Sequence, residues 1–250
     1  MNLKNKNVLI TGAASGIGLA TAKAFSAGGA RVALNFLPDD ARGQTEVDNL
    51  CRAGGFALAA PGNISSPQEA VVMVNGAISA LGGLDYLVNN AGTPGTSDPI
   101  PFSDFDKLTE DFWQTILSTN LIGPFRCTSA AASALRASKG AVVNTASVAG
   151  LGLRSSSLAY AASKAGLINM TTNLARALAP DARVNAVAPG FVETAWTKNW
   201  PAERQASSRA RSLMQRGSKP EDIADVIIFL CAGTSMINGE TIKVDGGLVL

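Results

Sequence analysis

Thr11-Gly12-Ala13-Ala14-Ser15-Gly16-Ile17-Gly18 decides the fold of this chain. An apolar run, 7–11, precedes it and reads as a short buried strand. A stretch rich in small residues follows to Ala27 and reads as a helix, stopped by Gly28-Gly29. A glycine-rich turn between a strand and a helix is where a phosphate group settles. Backbone N–H groups and the positive end of the helix dipole face the anion, and side chains there would block its approach. Gly12, Gly16 and Gly18 remove those side chains. Ser15 and Ile17 complete the cradle. The spacing is GxxxGxG and not the commoner GxGxxG.

Working outward, strands and helices alternate. Strands are expected at 31–36, 56–60, 85–90, 141–146, 183–187 and 240–244, beside the first at 7–11. Helices are expected at 43–52, from Pro67, at 160–179 and at 220–231, with one long helix over 108–137 bent near Gly123-Pro124. The pattern implies one α/β domain over 1–250. Its seven-stranded sheet is parallel and doubly wound, with helices on both faces. No repeat, low-complexity tract or linker interrupts it.

Composition fits that reading. The chain has 250 residues, 46% hydrophobic and 16% charged, as a sheet covered on both faces requires. A net charge of +2 argues against nucleic-acid or membrane partners. There is no histidine, which removes the commonest general base and metal ligand; no metal is expected. Cys51, Cys127 and Cys231 show no paired spacing and read as reduced core thiols in a cytoplasmic protein. The N-terminal residues lead straight into a strand, so no signal peptide is expected, and no apolar run reaches the length of a membrane span.

A second constellation lies far down the chain: Ser147, then Tyr160 and Lys164. Tyr160 and Lys164 stand four residues apart and so share one face of a helix. A tyrosine of ordinary pKa is a poor base at neutral pH, and a neighbouring ammonium is expected to lower it. Ser147 and Asn90 both follow strands, where ligands of doubly wound sheets bind.

These motifs in order resemble the short-chain dehydrogenase/reductase family over nearly the whole chain, a Rossmann-type fold. TGxxxGxG is 11–18, Asn-Asn-Ala-Gly is 89–92, the helix asparagine is Asn120, Ser…Tyr-x-x-x-Lys is Ser147, Tyr160 and Lys164, and the Pro-Gly with a nearby Thr is Pro189, Gly190 and Thr194. The resemblance implies an oxidoreductase interconverting a secondary alcohol and a ketone. Tyr160 would exchange the proton, Lys164 would tune Tyr160 and hold the nicotinamide ribose, Ser147 would polarise the substrate oxygen, and Asn120 would hold a water relaying protons to Lys164. Asn120 also reads as a helix-kink residue; both roles can coexist. Cofactor contacts are implied for Phe36, Asn63, Ile64, Asn90, Ala91, Gly92 and Val192, beside the motif residues above.

Cofactor choice rests on the end of the second strand, where NAD enzymes place an acid. Phe36 stands there. Asp39 and Asp40 follow and are expected to face solvent, and Arg42 is the nearest cation for a 2′-phosphate. The reading favours NADP over NAD. Substrate specificity is expected from 93–106, from 150–157 and from a lid over 191–212 that carries Trp196 and Trp200. Arg204, Arg209, Arg211 and Arg216 there read either as an anion site or as a solvated helix face. The resemblance to 3-oxoacyl-[acyl-carrier-protein] reductases makes a 3-oxoacyl thioester the first substrate, with a sugar, polyol or cyclic ketone as the alternative. It implies a homotetramer, or a dimer, with one interface on the C-terminal strand near 243–250. Two other classes stand: a non-catalytic dinucleotide-binding regulator, and a lyase or epimerase using the same cofactor site.

Overall fold

The computed structural model describes residues 1–153 and 155–250. Arg154, inside the expected substrate-side loop, lies outside the described residues. The strands are β1 (Asn7–Ile10), β2 (Arg31–Phe36), β3 (Phe56–Pro61), β4 (Tyr86–Asn89), β5 (Ala141–Thr145), β6 (Arg183–Pro189) and β7 (Thr241–Val244). The helices are α1 (Gly16–Ala27), α2 (Ala41–Arg52), α3 (Pro67–Leu81), α4 (Glu110–Leu117), α5 (Gly123–Ser138), α6 (Leu158–Leu178), α7 (Ala195–Lys198), α8 (Ala202–Ala210) and α9 (Pro220–Ile228).

All seven strands pair in parallel in the order β3-β2-β1-β4-β5-β6-β7. Leu9 sits between Ala33 and Leu87, so β1 is central. Period-two alternation sends Val8 and Ile10 to one face, with Phe25 of α1 and Ile223 and Ile227 of α9. Leu9 turns to the other face, with Val74 of α3, Leu135 of α5 and Leu178 of α6. Each fully buried Leu, Ile or Val contributes about 1.5–3 kcal/mol relative to exposure. The strand order reverses between β1 and β4, and that reversal opens a crevice at the carboxyl ends of the strands.

Several local expectations are corrected. The long helix over 108–137 is two helices joined through a π turn at Ser118–Ile122. Pro124 lacks the N–H that a regular helix would close onto the Asn120 carbonyl, so the ladder breaks there. Thr109 caps α4, its side chain accepting from the Phe112 N–H at 3.2 Å. The expected lid, 191–212, carries α7 and α8. β7 ends at Val244, because the Asp245 carboxylate accepts from the N–H groups of Gly247 and Val249 and turns the chain. Leu250 is 96% exposed, so the C-terminal end is not buried within the protomer. Cys51 is exposed on α2 rather than in the core; Cys127 and Cys231 are buried, and burial pushes both thiols up to about 12. Among the described residues, no helix is long and apolar enough to cross a membrane.

Candidate active site

The glycine turn is held from behind. Thr11 sends its hydroxyl under the next strand's exit, accepting from the N–H groups of Asn90 and Ala91 at 3.0 Å each. The Asn90 amide donates to the carbonyls of Thr11 and Gly12, at 3.1 and 3.2 Å. Gly12 and Gly16 both adopt positive φ, +63° and +54°, which favours glycine. A Cβ on Gly12 would meet the Ala91 Cα at 2.8 Å. Gly18 corrects an expectation: it lies behind the cradle rather than on its surface. Its missing side chain lets α1 pack on the turn, for a Cβ there would stand inside the Gly12 carbonyl and 2.6 Å from the Asn90 Nδ2.

The cradle opens into one cleft of about 1020 Å³, which Gly12, Ser15, Gly16 and Ile17 line. Ser15 precedes α1 without capping it, and no acid stands in the first turn, so the leading N–H groups of the helix have no side-chain partner. That is the donor set a pyrophosphate takes, and the volume suits a dinucleotide with a small substrate. The residues present therefore fit the nicotinamide cofactor the motifs imply.

The expected cofactor residues are otherwise brought together. Asn63, Ile64, Asn90, Ala91 and Gly92 line the same cleft, as do Pro189, Gly190, Val192 and Thr194. The Asn63 side-chain Oδ1 accepts from the Ser65 N–H and hydroxyl at 2.9 and 2.8 Å, which fixes the turn after β3. Thr194 leads α7 close to the cradle; a Cβ on Gly16 would touch its methyl at 3.4 Å. Asn35 was not anticipated. Its side chain accepts from the Gly12 N–H at 3.3 Å, donates to the carbonyls of Ala60 and Gly62, and lines the cleft. The only signal for it was one polar residue inside an apolar strand.

At the end of β2, Phe36 lines the cleft and lays its ring over Gly43 of α2, where a Cβ could not fit. Asp39 is exposed, as expected, but Asp40 is not. Asp40 caps α2 through the Arg42 N–H and takes the Arg42 guanidinium in two hydrogen bonds of 2.8 Å. That cation holds the Asp40 carboxyl below the usual carboxylate range. Both residues line the cleft.

Ser147, Tyr160 and Lys164 meet at the other end. Ser157 caps α6, its hydroxyl accepting from the Tyr160 N–H at 3.1 Å, so α6 begins two residues earlier than expected. Lys164 donates to the Thr145 carbonyl at 2.7 Å, and its ammonium lies 5.7 Å from the Tyr160 ring centre. The Ser147 hydroxyl oxygen accepts from the Ala149 N–H at 3.1 Å, which leaves its proton to donate. Gly150 lets the turn Val148–Leu151 press on α6, since a Cβ there would meet the Lys164 backbone at 2.6 Å.

Electrostatics reverse one expectation. Burial pushes the Tyr160 phenol up to about 12, and the facing Ser147 hydroxyl opposes this only in part. Burial also brings Lys164 down to about 8. Desolvation, not the neighbouring ammonium, governs Tyr160 in the free protein. In the free protein Tyr160 is thus a neutral acid, suited to giving a proton.

Asn120 does not line the cleft. Its amide is engaged with the chain: Oδ1 accepts from the Thr93 N–H at 2.8 Å, and Nδ2 donates to the Thr93 carbonyl and the Ser163 hydroxyl at 2.9 and 3.2 Å. It braces the segment after Gly92 against α6, so the kink reading finds its geometry at Thr93 and not at Gly123-Pro124. A Cβ on Gly92 would stand 3.3 Å from the Asn120 Oδ1 and 3.6 Å from the Lys164 Nζ, so Gly92 lies between these two side chains.

The lid covers this end. The Trp196 ring stands edge-on to Tyr160 at 6.2 Å, and Trp200 stacks on Phe191 at 5.6 Å. Of Arg204, Arg209, Arg211 and Arg216, Arg209 pairs with Glu193 at 2.7 Å and Arg216, just past the lid, with Asp222.

Known proteins resemble this chain over its whole length. The profile of the family described as "Enoyl-(Acyl carrier protein) reductase" matches residues 12–249. A 3-oxoacyl-[acyl-carrier-protein] reductase of Thermotoga maritima is 36% identical, covering 100% of both chains. A meso-2,3-butanediol dehydrogenase of Serratia marcescens is 35% identical over 99% of this chain and 96% of its own. A short-chain dehydrogenase from Burkholderia cenocepacia, solved in complex with NADP, superposes with a TM-score of 0.89 at 33% identity, covering 99% of each chain. Cradle, hydroxyl–phenol–amine cluster and full-length similarity agree: this chain belongs to the short-chain dehydrogenase/reductase family of NAD(P)-dependent oxidoreductases.

Proposed function

We propose that the protein is an NADP-dependent reductase of a 3-oxoacyl thioester or related ketone, with Ser147, Tyr160 and Lys164 as its catalytic residues. The observation that carries this is the neutral, half-buried Tyr160 phenol beside Ser147 and Lys164 in the cleft that also holds the glycine cradle. When bound, the nicotinamide cofactor supplies the hydride. The chain's part is binding, orientation and the proton. Ser147 donates a hydrogen bond to the substrate carbonyl, favouring charge on its oxygen. Tyr160 gives its phenolic proton to that oxygen as the charge develops. Lys164, fixed on Thr145, stabilises the phenolate left behind, and its partial desolvation strengthens that interaction. Asn120 acts as a positioning residue; Pro124 leaves its carbonyl without the usual helix donor and available to a water.

Residues 1–250 serve as one cofactor-binding and catalytic unit, with 191–212 as the lid. A cytoplasmic setting suits the free thiols. Exposed Ile122 and Phe125, at the junction of the π turn and α5, support assembly into a homotetramer or dimer. The two named relatives support both a thioester and a vicinal-diol chemistry; the neutral phenol favours the reductive direction. Reduction of acetoacetyl thioester and of acetoin with NADPH and NADH tests the reading. Turnover of neither with either cofactor contradicts it.

Two further outcomes are expected. The kcat/KM for the cofactor, which reports the free enzyme, falls as pH rises through about 8, because Lys164 is an ammonium below that value and an amine above it. A profile flat across that range contradicts the assignment. Arg42→Ala is expected to weaken NADPH binding by about tenfold and NADH binding far less, because a 2′-phosphate is the group that pulls a guanidinium from Asp40. Quenching of tryptophan fluorescence measures both, and equal losses remove Arg42 from cofactor choice.

A further inference from the structure

Resting on the reductase reading, we infer that the substrate carries an oxyanion, a carboxylate or a phosphate, which the Arg204 guanidinium binds at the lid end of the cleft. Arg209 and Arg216 are neutralised by Glu193 and Asp222. Arg204 is different. Its guanidinium carbon sits over Trp200, 3.4 Å from the ring centre, and Trp200 in turn stacks on Phe191. The stack orients the planar fork as cation–π contact does, and leaves its edges unused. Among the described residues, no acceptor lies within hydrogen-bond distance of the Arg204 side chain and no carboxylate within salt-bridge distance.

Arg204 is also half-buried, and that burial lowers its pKa, with Asp98 opposing from farther away. Its donors open onto the cleft, where a ligand can take them. The site around it is built for an anion. Arg204 and Arg211 line the cleft with Ser207 and Ser208, and Asp40, engaged with Arg42, is the one carboxylate residue among the described lining residues. The lid is secured behind them: Gln205 donates to the Trp200 carbonyl at 2.9 Å, and the Ser208 hydroxyl to the Arg204 carbonyl at 2.8 Å. A planar bidentate partner on Arg204 places the substrate's far end, while Trp196 and Tyr160 face its carbonyl end.

Three 3-oxo compounds that share one reacting carbonyl test this: acetoacetate, acetoacetyl-coenzyme A and methyl acetoacetate. Arg204→Gln is expected to lower the kcat/KM of a charged substrate relative to the neutral ester by at least about tenfold, through KM, and Arg204→Lys to recover part of that ratio. A loss confined to acetoacetate assigns a carboxylate; one confined to the coenzyme A thioester assigns a phosphate. An unchanged ratio, or the same loss on all three, overturns the inference. If the wild type reduces none of the three, the reading of the reaction fails and the anion site is read separately. Calorimetric titration of acetoacetate and of inorganic phosphate into the NADP-bound protein then shows binding that Arg204→Gln weakens at least about tenfold, and no saturable heat in the wild type overturns the inference.

Discussion

Tyr160→Phe is expected to lose turnover by about 10³-fold while leaving NADPH affinity within about threefold of wild type. The ring keeps its volume and its edge-on contact with Trp196 at 6.2 Å, so the fold and the cleft wall persist. What disappears is the one acidic proton placed beside Ser147. Ser147 cannot replace it, because a serine hydroxyl polarises an oxygen but does not release its proton at neutral pH. Lys164 is tied to the Thr145 carbonyl at 2.7 Å. Steady-state kinetics with a fluorescence binding titration separate the two effects. Turnover within about tenfold of wild type refutes Tyr160 as the proton donor.

The second large effect belongs to Gly18, which stands behind the cradle and does not line the cleft. Gly18→Ala is expected to destabilise the protein by about 1–3 kcal/mol and to weaken cofactor binding by about a hundredfold. The new methyl collides with the Gly12 carbonyl and the Asn90 amide. Backbone cannot swing aside as a long side chain can, so α1 must move away from the turn. The hydrogen bonds from Asn90 to Thr11 and Gly12 stretch with it, and the helix N-terminus no longer faces the cradle. Thermal unfolding and NADPH titration of the same preparation measure the pair of effects. A stable variant with wild-type affinity shows that the turn tolerates the displacement.

The fold was legible because its decisive signals are local. A strand, a glycine turn and a helix within 7–27 fix the first βα unit, and the later apolar runs repeat its period. Tyr160 and Lys164 declared themselves by a spacing that only a helix makes meaningful. What stayed hidden depends on partners distant in sequence. Asn35 reads as a blemish in an apolar strand until Gly12 and Gly62 are folded around it. The four arginines in and just after the lid look alike in sequence; Glu193 and Asp222 separate two of them from Arg204 and Arg211 only in three dimensions. The direction of the Tyr160 shift was misjudged for the same reason. Spacing shows the neighbouring ammonium, but not the desolvation that sets the direction. The π turn at Ser118–Ile122 was visible as a bend, because Pro124 announces it, yet its consequence for Asn120 required Thr93 to be in place.

The most direct measurement of the central claim follows a label. The protein is given NADPH bearing deuterium at the transferable position of the nicotinamide ring, together with an acetoacetyl thioester, and the product is examined by mass spectrometry in wild type and Tyr160→Phe. The account predicts one deuterium on the new carbinol carbon with wild-type protein and almost no product with the variant. Product lacking deuterium, or equal labelled product from both proteins, contradicts it.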